Sequence, residues 1–173
     1  MGIKKPYTYT FIFILFCLVI YYVYPIKKIP DGIVIDKMIV SKSGHVLQAY
    51  SKGQLVVTYT VALGKNPLGD KEYEGDKKTP EGMYTINSKN PYSGYHKNLG
   101  VSYPNDKDIR EGTRLGKPTG GDIKLHGLKN GQGFIGKFQR WKDWTNGCIA
   151  LTNAEMDELY KHTPVGTAIE IKQ

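Results

Sequence analysis

The chain predicts one mainly β domain behind a single N-terminal apolar helix, and three observations carry that reading. β-branched runs recur between residues 33 and 172, an uncharged stretch fills residues 7–24, and one well-capped helical segment follows Thr152. A length of 173 residues suits one domain, because a chain near 150 residues already buries about two-thirds of its surface. At 40% hydrophobic and 23% charged residues, wholesale disorder is excluded.

The first element is the run Tyr7 to Tyr24, which holds no charged residue. As a helix rising about 1.5 Å per residue, it nearly crosses a hydrocarbon core about 30 Å thick. Tyr7 and Tyr9 at one end, and Tyr21, Tyr22 and Tyr24 at the other, read as interfacial belts. Lys4/Lys5 and Lys27/Lys28 bracket the run, and Pro25 ends it. A cleavable signal would want small residues after the apolar stretch, whereas Tyr-Tyr-Val-Tyr-Pro stands there. The expectation is an uncleaved membrane anchor over residues 1–30, passing once through the cytoplasmic membrane as a transmembrane helix, and a second unit over 31–173. Bulky Phe16 disfavours lipid attachment at Cys17, which reads as apolar filler, and Pro6 spoils a myristoylation pattern at Met1-Gly2. The flanking lysines do not favour a cytoplasmic N-terminus, so orientation depends on the chemistry of the domain.

The domain reads element by element. Residues 33–40 are β-branched and predict a strand; His45–Tyr50 and Leu55–Leu63 predict two more, joined by the turn Ser51-Lys52-Gly53-Gln54. Met83–Ile86 and Ile123–His126 are short strand candidates, and Thr167–Lys172 alternates as a half-buried closing strand. Thr152-Asn153-Ala154-Glu155 has capping-box spacing; Met156, Leu159 and Tyr160 share one helical face, and Pro164 and Gly166 close the helix. Gly/Pro/Asn-rich segments at 64–82, 87–122 and 127–147 read as long loops, of the length that often carries function.

Charge and cysteine usage narrow the function. The net charge is +8, but residues 1–30 hold four lysines and no acid, leaving 20 basic and 16 acidic side chains beyond them. No basic stripe with a nucleic-acid motif appears, so nucleic acid is not an expected partner. Two cysteines cannot make a disulfide framework, and no Cys/His cluster has metal-ligand spacing, so no metal or other cofactor is expected.

Cys148 stands in Trp144-Thr145-Asn146-Gly147-Cys148-Ile149-Ala150-Leu151. A lone cysteine is often a small buried hydrophobe. Gly147 beside it permits close backbone approach to a substrate and alignment of neighbouring amides toward a developing oxyanion. His126, in Ile123-Lys124-Leu125-His126-Gly127, is the candidate partner, because an adjacent imidazole favours the attacking thiolate. On that reading Cys148 reacts well below the free-thiol pKa of about 8.5. His45 and His162 read as surface residues, and His96 lies in a Tyr/Asn-rich loop able to line a cleft.

His126-Gly127, followed by Asp143-Trp144-Thr145-Asn146-Gly147-Cys148-Ile149-Ala150-Leu151-Thr152-Asn153, resembles the paired signature of L,D-transpeptidase (YkuD-type) catalytic domains. Leu63-Gly64-Lys65-Asn66-Pro67 and Gly75 to Tyr84 resemble that family's other recurrent segments, in matching order. The resemblance implies a β-sandwich-like domain with a helix after the nucleophile, acting without a cofactor on peptidoglycan stem peptides, and hence an extracytoplasmic domain with the short N-terminus inside. It implies Cys148 as nucleophile, His126 as base and later acid, and the Gly127 carbonyl as orienter of the ring. It also implies amides near Gly147 and Cys148 as the oxyanion hole, with Gly127, Thr145, Asn146 and Gly147 on the substrate side. The same machinery resolved by water would be a peptidase or amidase. Asn146 and Ala150 stand where the commonest motif has His and Arg, in a form similar to the YafK-like subgroup. Losing the Arg removes a planar five-donor fork, so carboxylate recognition or loop anchoring must differ.

Overall fold

Residues 5–173 are described by the computed structural model. Eight strands, β1 (Lys37–Ser41), β2 (Val46–Ser51), β3 (Gln54–Thr60), β4 (Gly82–Ser93), β5 (His96–Val101), β6 (Lys124–His126), β7 (Ile149–Ala150) and β8 (Ala168–Lys172), form one sheet in the order β3-β2-β1-β8-β4-β5-β6-β7. The β1–β8 and β6–β7 pairs are parallel and the rest antiparallel. Helix α1 (Lys5–Val23) precedes the sheet, α2 (Asp106–Arg114) follows β5, a 3-10 segment (Gly133–Trp141) precedes β7, and α3 (Asn153–His162) follows it.

The expected sandwich is instead a single curled sheet. Beyond β3 the chain continues to Ala62, which exchanges backbone hydrogen bonds with Ala150 of β7 at the opposite edge (3.0 and 2.8 Å). Gly64 bridges Thr145 in the parallel sense, the Lys65 amide donating to Thr145 O and the Thr145 amide to Leu63 O. Joining the two edges satisfies backbone groups that an open sheet would leave exposed. Met38, Leu47, Ile86, Leu99, Leu125, Ile149, Met156 and Leu159 fill the interior, and all are fully buried. Burial of each such side chain is worth roughly 1.5–3 kcal/mol.

Local chemistry explains where the elements stop and start. Lys52 and Gly53 both have positive φ, 50° and 77°, the backbone of a two-residue turn whose twist matches its flanking strands. β1 begins at Lys37 rather than at residue 33, because the Ile35 amide is taken by His162 O and the Asp36 amide by Tyr50 O. Helix α3 starts on the expected capping box: Thr152 Oγ1 accepts from the Glu155 amide, and Glu155 Oε2 accepts from the Thr152 amide. Segment 87–122, expected as a loop, contains the second half of β4, all of β5, and α2. Helix α2 buries Asp108 and Gly112 rather than an apolar stripe, so hydrophobic periodicity gave it no signal.

The N-terminal expectation is overturned. Among the described residues no helix is long and apolar enough to cross a membrane, so the transmembrane anchor, its orientation and a single-pass location in the cytoplasmic membrane do not stand. Only Phe11 to Ile20 are apolar without interruption, a rise of about 15 Å, half of what a hydrocarbon core requires. The last turn of α1 is engaged by the domain itself. Tyr22 donates its hydroxyl to Phe134 O (2.7 Å), and Lys137 Nζ donates to the carbonyls of Tyr21 and Tyr24. Tyr21 and Tyr22 also pack their rings on Phe138. Cys17 lies on α1, exposed. Lys4 and the Met1-Gly2 pair lie outside the described residues.

Candidate active site

Parallel pairing of β6 with β7 puts Leu125 opposite Ile149 and His126 opposite Ala150. Successive strand side chains alternate between faces. Leu125 and Ile149 both turn into the core, fully buried, so Lys124, His126 and Cys148 share the other parity. This register is what brings two residues far apart in the chain to one cavity. The cavity, of about 520 Å³, is lined by both Cys148 and His126, with Tyr95, Trp144, Thr145 and Asn146 among its walls.

His126 is held from three directions. Its Nδ1 lies 2.7 Å from the Gly127 carbonyl. A carbonyl only accepts, so in the neutral ring Nδ1 carries the proton and Nε2 the lone pair. The Tyr95 ring lies 4.8 Å from the imidazole, centroid to centroid, and the Trp144 ring meets it edge-on at 5.6 Å. Trp144 is fixed in turn by its indole N–H on Gln139 Oε1 (2.9 Å). Burial holds the imidazole below its ordinary pKa, and the Lys124 charge acts in the same sense, against the Gly127 carbonyl.

Cys148 is half-buried, and its thiol donates to the Asp122 carbonyl at 3.7 Å. No hydrogen bond joins the thiol to His126 at rest. Burial pushes the thiol up, the Asp122 carboxylate adds to that, and the Lys124 amide and ammonium oppose it. With the thiol raised and the imidazole lowered, burial works against the charged form of both groups, and so against a thiolate preformed by His126.

The turn before Cys148 is closed by one hydroxyl. Thr145 Oγ1 donates to Cys148 O (2.7 Å) and accepts from the Gly147 amide (3.1 Å). The Gly147 amide is therefore spoken for, which removes it from the expected oxyanion donors. Gly147 has φ 134°, and a Cβ there would lie 2.7 Å from Lys78 O, so only glycine fits. Asp143 ties the motif to the strand beyond β3, accepting from the Leu63 amide (2.7 Å) and pairing with His45 Nε2 (2.9 Å). Behind this turn, Asp76 accepts from Lys71 Nζ and from the amides of Glu72, Tyr73 and Lys78. Burial opposes ionisation of Asp76, but those donors outweigh it and keep the carboxyl below its ordinary value.

Of the residues singled out from sequence, Cys148, His126, Thr145 and Asn146 line the cavity, whereas Gly127 and Gly147 act through backbone behind it. His45, its side chain 39% exposed, pairs with Asp143 at the surface, whereas His162 is buried with Nδ1 on Ile33 O and is not the surface residue expected. His96 pairs with Asp157 and does not line the cavity. Lys65, Asn98, Asp122, Lys124, Asn90 and residues 92–95 also line it. The Tyr/Asn-rich composition of 90–98 hinted at that wall; nothing local marked Lys65. Among the described residues, no group of three or more His, Cys, Asp or Glu side chains could hold a metal ion.

The family model for the YkuD L,D-transpeptidase catalytic domain matches residues 35–171. This chain belongs to that family. YqjB of Bacillus subtilis (strain 168), whose name classes it with the L,D-transpeptidases, is 32% identical over 137 residues, covering 78% of this chain and 69% of YqjB. YafK of Escherichia coli (strain K12), classed likewise, is 30% identical over 111 residues, 62% of this chain and 37% of YafK. Among solved structures, the helical cell shape determining protein Pgp2 from Campylobacter jejuni superposes with a TM-score of 0.62 at 25% identity, covering 86% of this chain and 51% of Pgp2. The chain thus spans about a third of YafK and half of Pgp2. An L,D-transpeptidase from Xylanimonas cellulosilytica shares the fold, with a TM-score of 0.52 at 13% identity.

Within this L,D-transpeptidase domain, Ala150 is fully buried in the bridge to Ala62 and does not line the cavity. Position 150 therefore supplies no charge to a substrate here. Asn146 is exposed at the cavity mouth and also borders a neighbouring cavity of about 290 Å³.

Proposed function

We propose that residues 31–173 form the catalytic unit of a peptidoglycan L,D-transpeptidase working through a thioester on Cys148. The observation that carries this reading is the shared cavity. A nucleophilic sulfur and a neutral imidazole, whose Nδ1 is committed to the Gly127 carbonyl, open onto one space large enough for a peptide. Membership of the family supplies the substrate class.

In the first half-reaction, His126 Nε2 takes the thiol proton as Cys148 Sγ attacks the stem-peptide carbonyl between an L-centre and a D-residue. The oxyanion faces the Cys148 amide, the donor left in the turn once Gly147 is committed. As the tetrahedral species collapses, the carbon–nitrogen bond breaks, the departing D-residue amine takes the proton from His126, and a thioester remains. In the second half-reaction, a side-chain amine on a neighbouring stem attacks the thioester. His126 accepts the amine's proton and returns it to the leaving sulfur, giving a new amide and a free thiol. General acid–base work of this kind is typically worth about 10²–10⁴ in rate.

Incubation with disaccharide-tetrapeptides tests the reading. Cross-linked dimers with release of the terminal D-residue are expected, with a thioester of the stem detectable by intact mass on Cys148 and absent in Cys148→Ala. Shortened peptides without dimers would make the domain a hydrolase on the same scaffold, and unaltered substrate would overturn the enzymatic reading.

A further inference from the structure

The charges lining the cavity do not cancel. Among the described residues they are Lys65, Lys124 and Asp122, beside a neutral His126. Lys124 Nζ is 2.6 Å from Asp122 Oδ1, so those two neutralise each other. Among the described residues Lys65 pairs with no carboxylate, and its side chain is exposed at the cavity. Its backbone, by contrast, is fixed. The Lys65 amide donates to Thr145 O (3.0 Å), the Thr145 amide to Leu63 O (3.1 Å), and Gly64 between them bridges Thr145. A Cβ on Gly64 would lie 3.2 Å from the Gly147 Cα. Lys65 therefore leaves the chain one residue beyond the contact with the turn that carries Cys148. Its exposed side chain is placed to meet a molecule bound in the cavity.

An unpaired ammonium on a fixed backbone, at the wall of a peptide-sized cavity, calls for an anion from the substrate. We infer that Lys65 is a specificity-determining residue that binds a carboxylate of the donor stem peptide. It supplies the charge that buried Ala150 does not. The inference rests on the transpeptidase reading above. Two carboxylates stand near the scissile bond of such a donor: that of the departing D-residue and that on the side chain of a diamino acid.

The test is steady-state kinetics of the full chain and its Lys65→Ala, Lys65→Arg and Lys65→Glu variants. Three donors are used: one with both carboxylates free, and one amidated at each carboxylate in turn. Loss of a charge-assisted hydrogen bond should raise KM for the free donor about tenfold in Lys65→Ala and further in Lys65→Glu. Lys65→Arg should restore most of the difference. Amidating the recognised carboxylate should raise the wild-type KM similarly and make it insensitive to Lys65→Ala, which identifies the carboxylate. An unchanged KM in Lys65→Ala, or a rise of equal size with all three donors, would overturn the inference while leaving the transpeptidase reading intact. Absence of turnover by the wild type would instead remove that reading, and this inference with it.

Discussion

The turn carrying Cys148 is gripped on every side, whereas the bulge of β4 at residues 91–92, across the cavity, projects into solvent, with Tyr92 91% exposed. On the first wall, Thr145 closes the turn, Asp143 ties it to Leu63, and the Gly147 Cα lies against the backbone of residues 64 and 78. On the second, the hairpin turn is anchored, since Asn130 bonds the Ser93 and Gly94 carbonyls and the His96 amide, and the Gly127 amide reaches Tyr95 O, but the bulge is held by the Tyr92 amide on Asn90 Oδ1. Tyr95 alone reaches across to His126 and Trp144. Attack on a carbonyl demands that nucleophile and base keep one geometry. Holding polymer stems of varied sequence does not, so the second wall can stay adaptable at little cost to rate.

Four substitutions, with the pH dependence of the wild type, would break or sharpen this contrast. The largest effect is expected from His126→Ala, about 10³-fold in kcat/KM for dimer formation, since it removes the proposed base. The wild-type rate should fall with pH through a midpoint below about 6.5, because burial holds the folded imidazole under its ordinary value. Folding stability should begin to fall at about pH 6.5, where the unfolded imidazole takes its proton. The buried ring resists protonation, so the unfolded chain binds the extra proton first and is stabilised relative to the folded chain as pH drops. Alkylation of resting Cys148 should have its midpoint above pH 8.5, and a midpoint below that value would show a preformed thiolate.

Next is Gly147→Ala, which forces a Cβ against the Lys78 carbonyl at an unfavourable φ. A loss of about 3 kcal/mol in urea unfolding is expected, together with most of the activity. Thr145→Val keeps the shape but leaves the Gly147 amide without its acceptor. About 1–2 kcal/mol of stability and roughly tenfold in kcat should be lost, read by denaturation and dimer assay. Tyr92→Ala, on the opposite wall, should change stability by less than about 0.5 kcal/mol and move KM only a few-fold. A thermal shift as large as that of Thr145→Val would show that the β4 bulge is as constrained as the turn.

Legibility in the sequence follows the range of the interactions. The α3 capping box, the Lys52-Gly53 turn, the alternation in β8 and the selection of Cys148 and His126, which line one cavity, were readable, because each is set by neighbours in the chain or by a motif that binds chemistry to spacing. β5 and α2 were not, because β5 draws its hydrogen bonds from strands on both sides and α2 buries Asp108 and Gly112. The N-terminal run was read as a span from its lack of charge; its hydroxyl-bearing ends and its docking on residues 134–141 decided otherwise.

By itself, then, the sequence determined the class of domain and named the two side chains that one cavity brings together. Only the tertiary structure decided that the sheet closes through Ala62 and Ala150, that the Gly147 amide is consumed by Thr145, that burial works against charging Cys148 and His126, and that Lys65 lines the cavity without a carboxylate partner among the described residues. The physical reason is that burial, charge compensation and hydrogen-bond satisfaction are properties of surroundings. Those surroundings are assembled from segments dozens of residues apart, which no local pattern records.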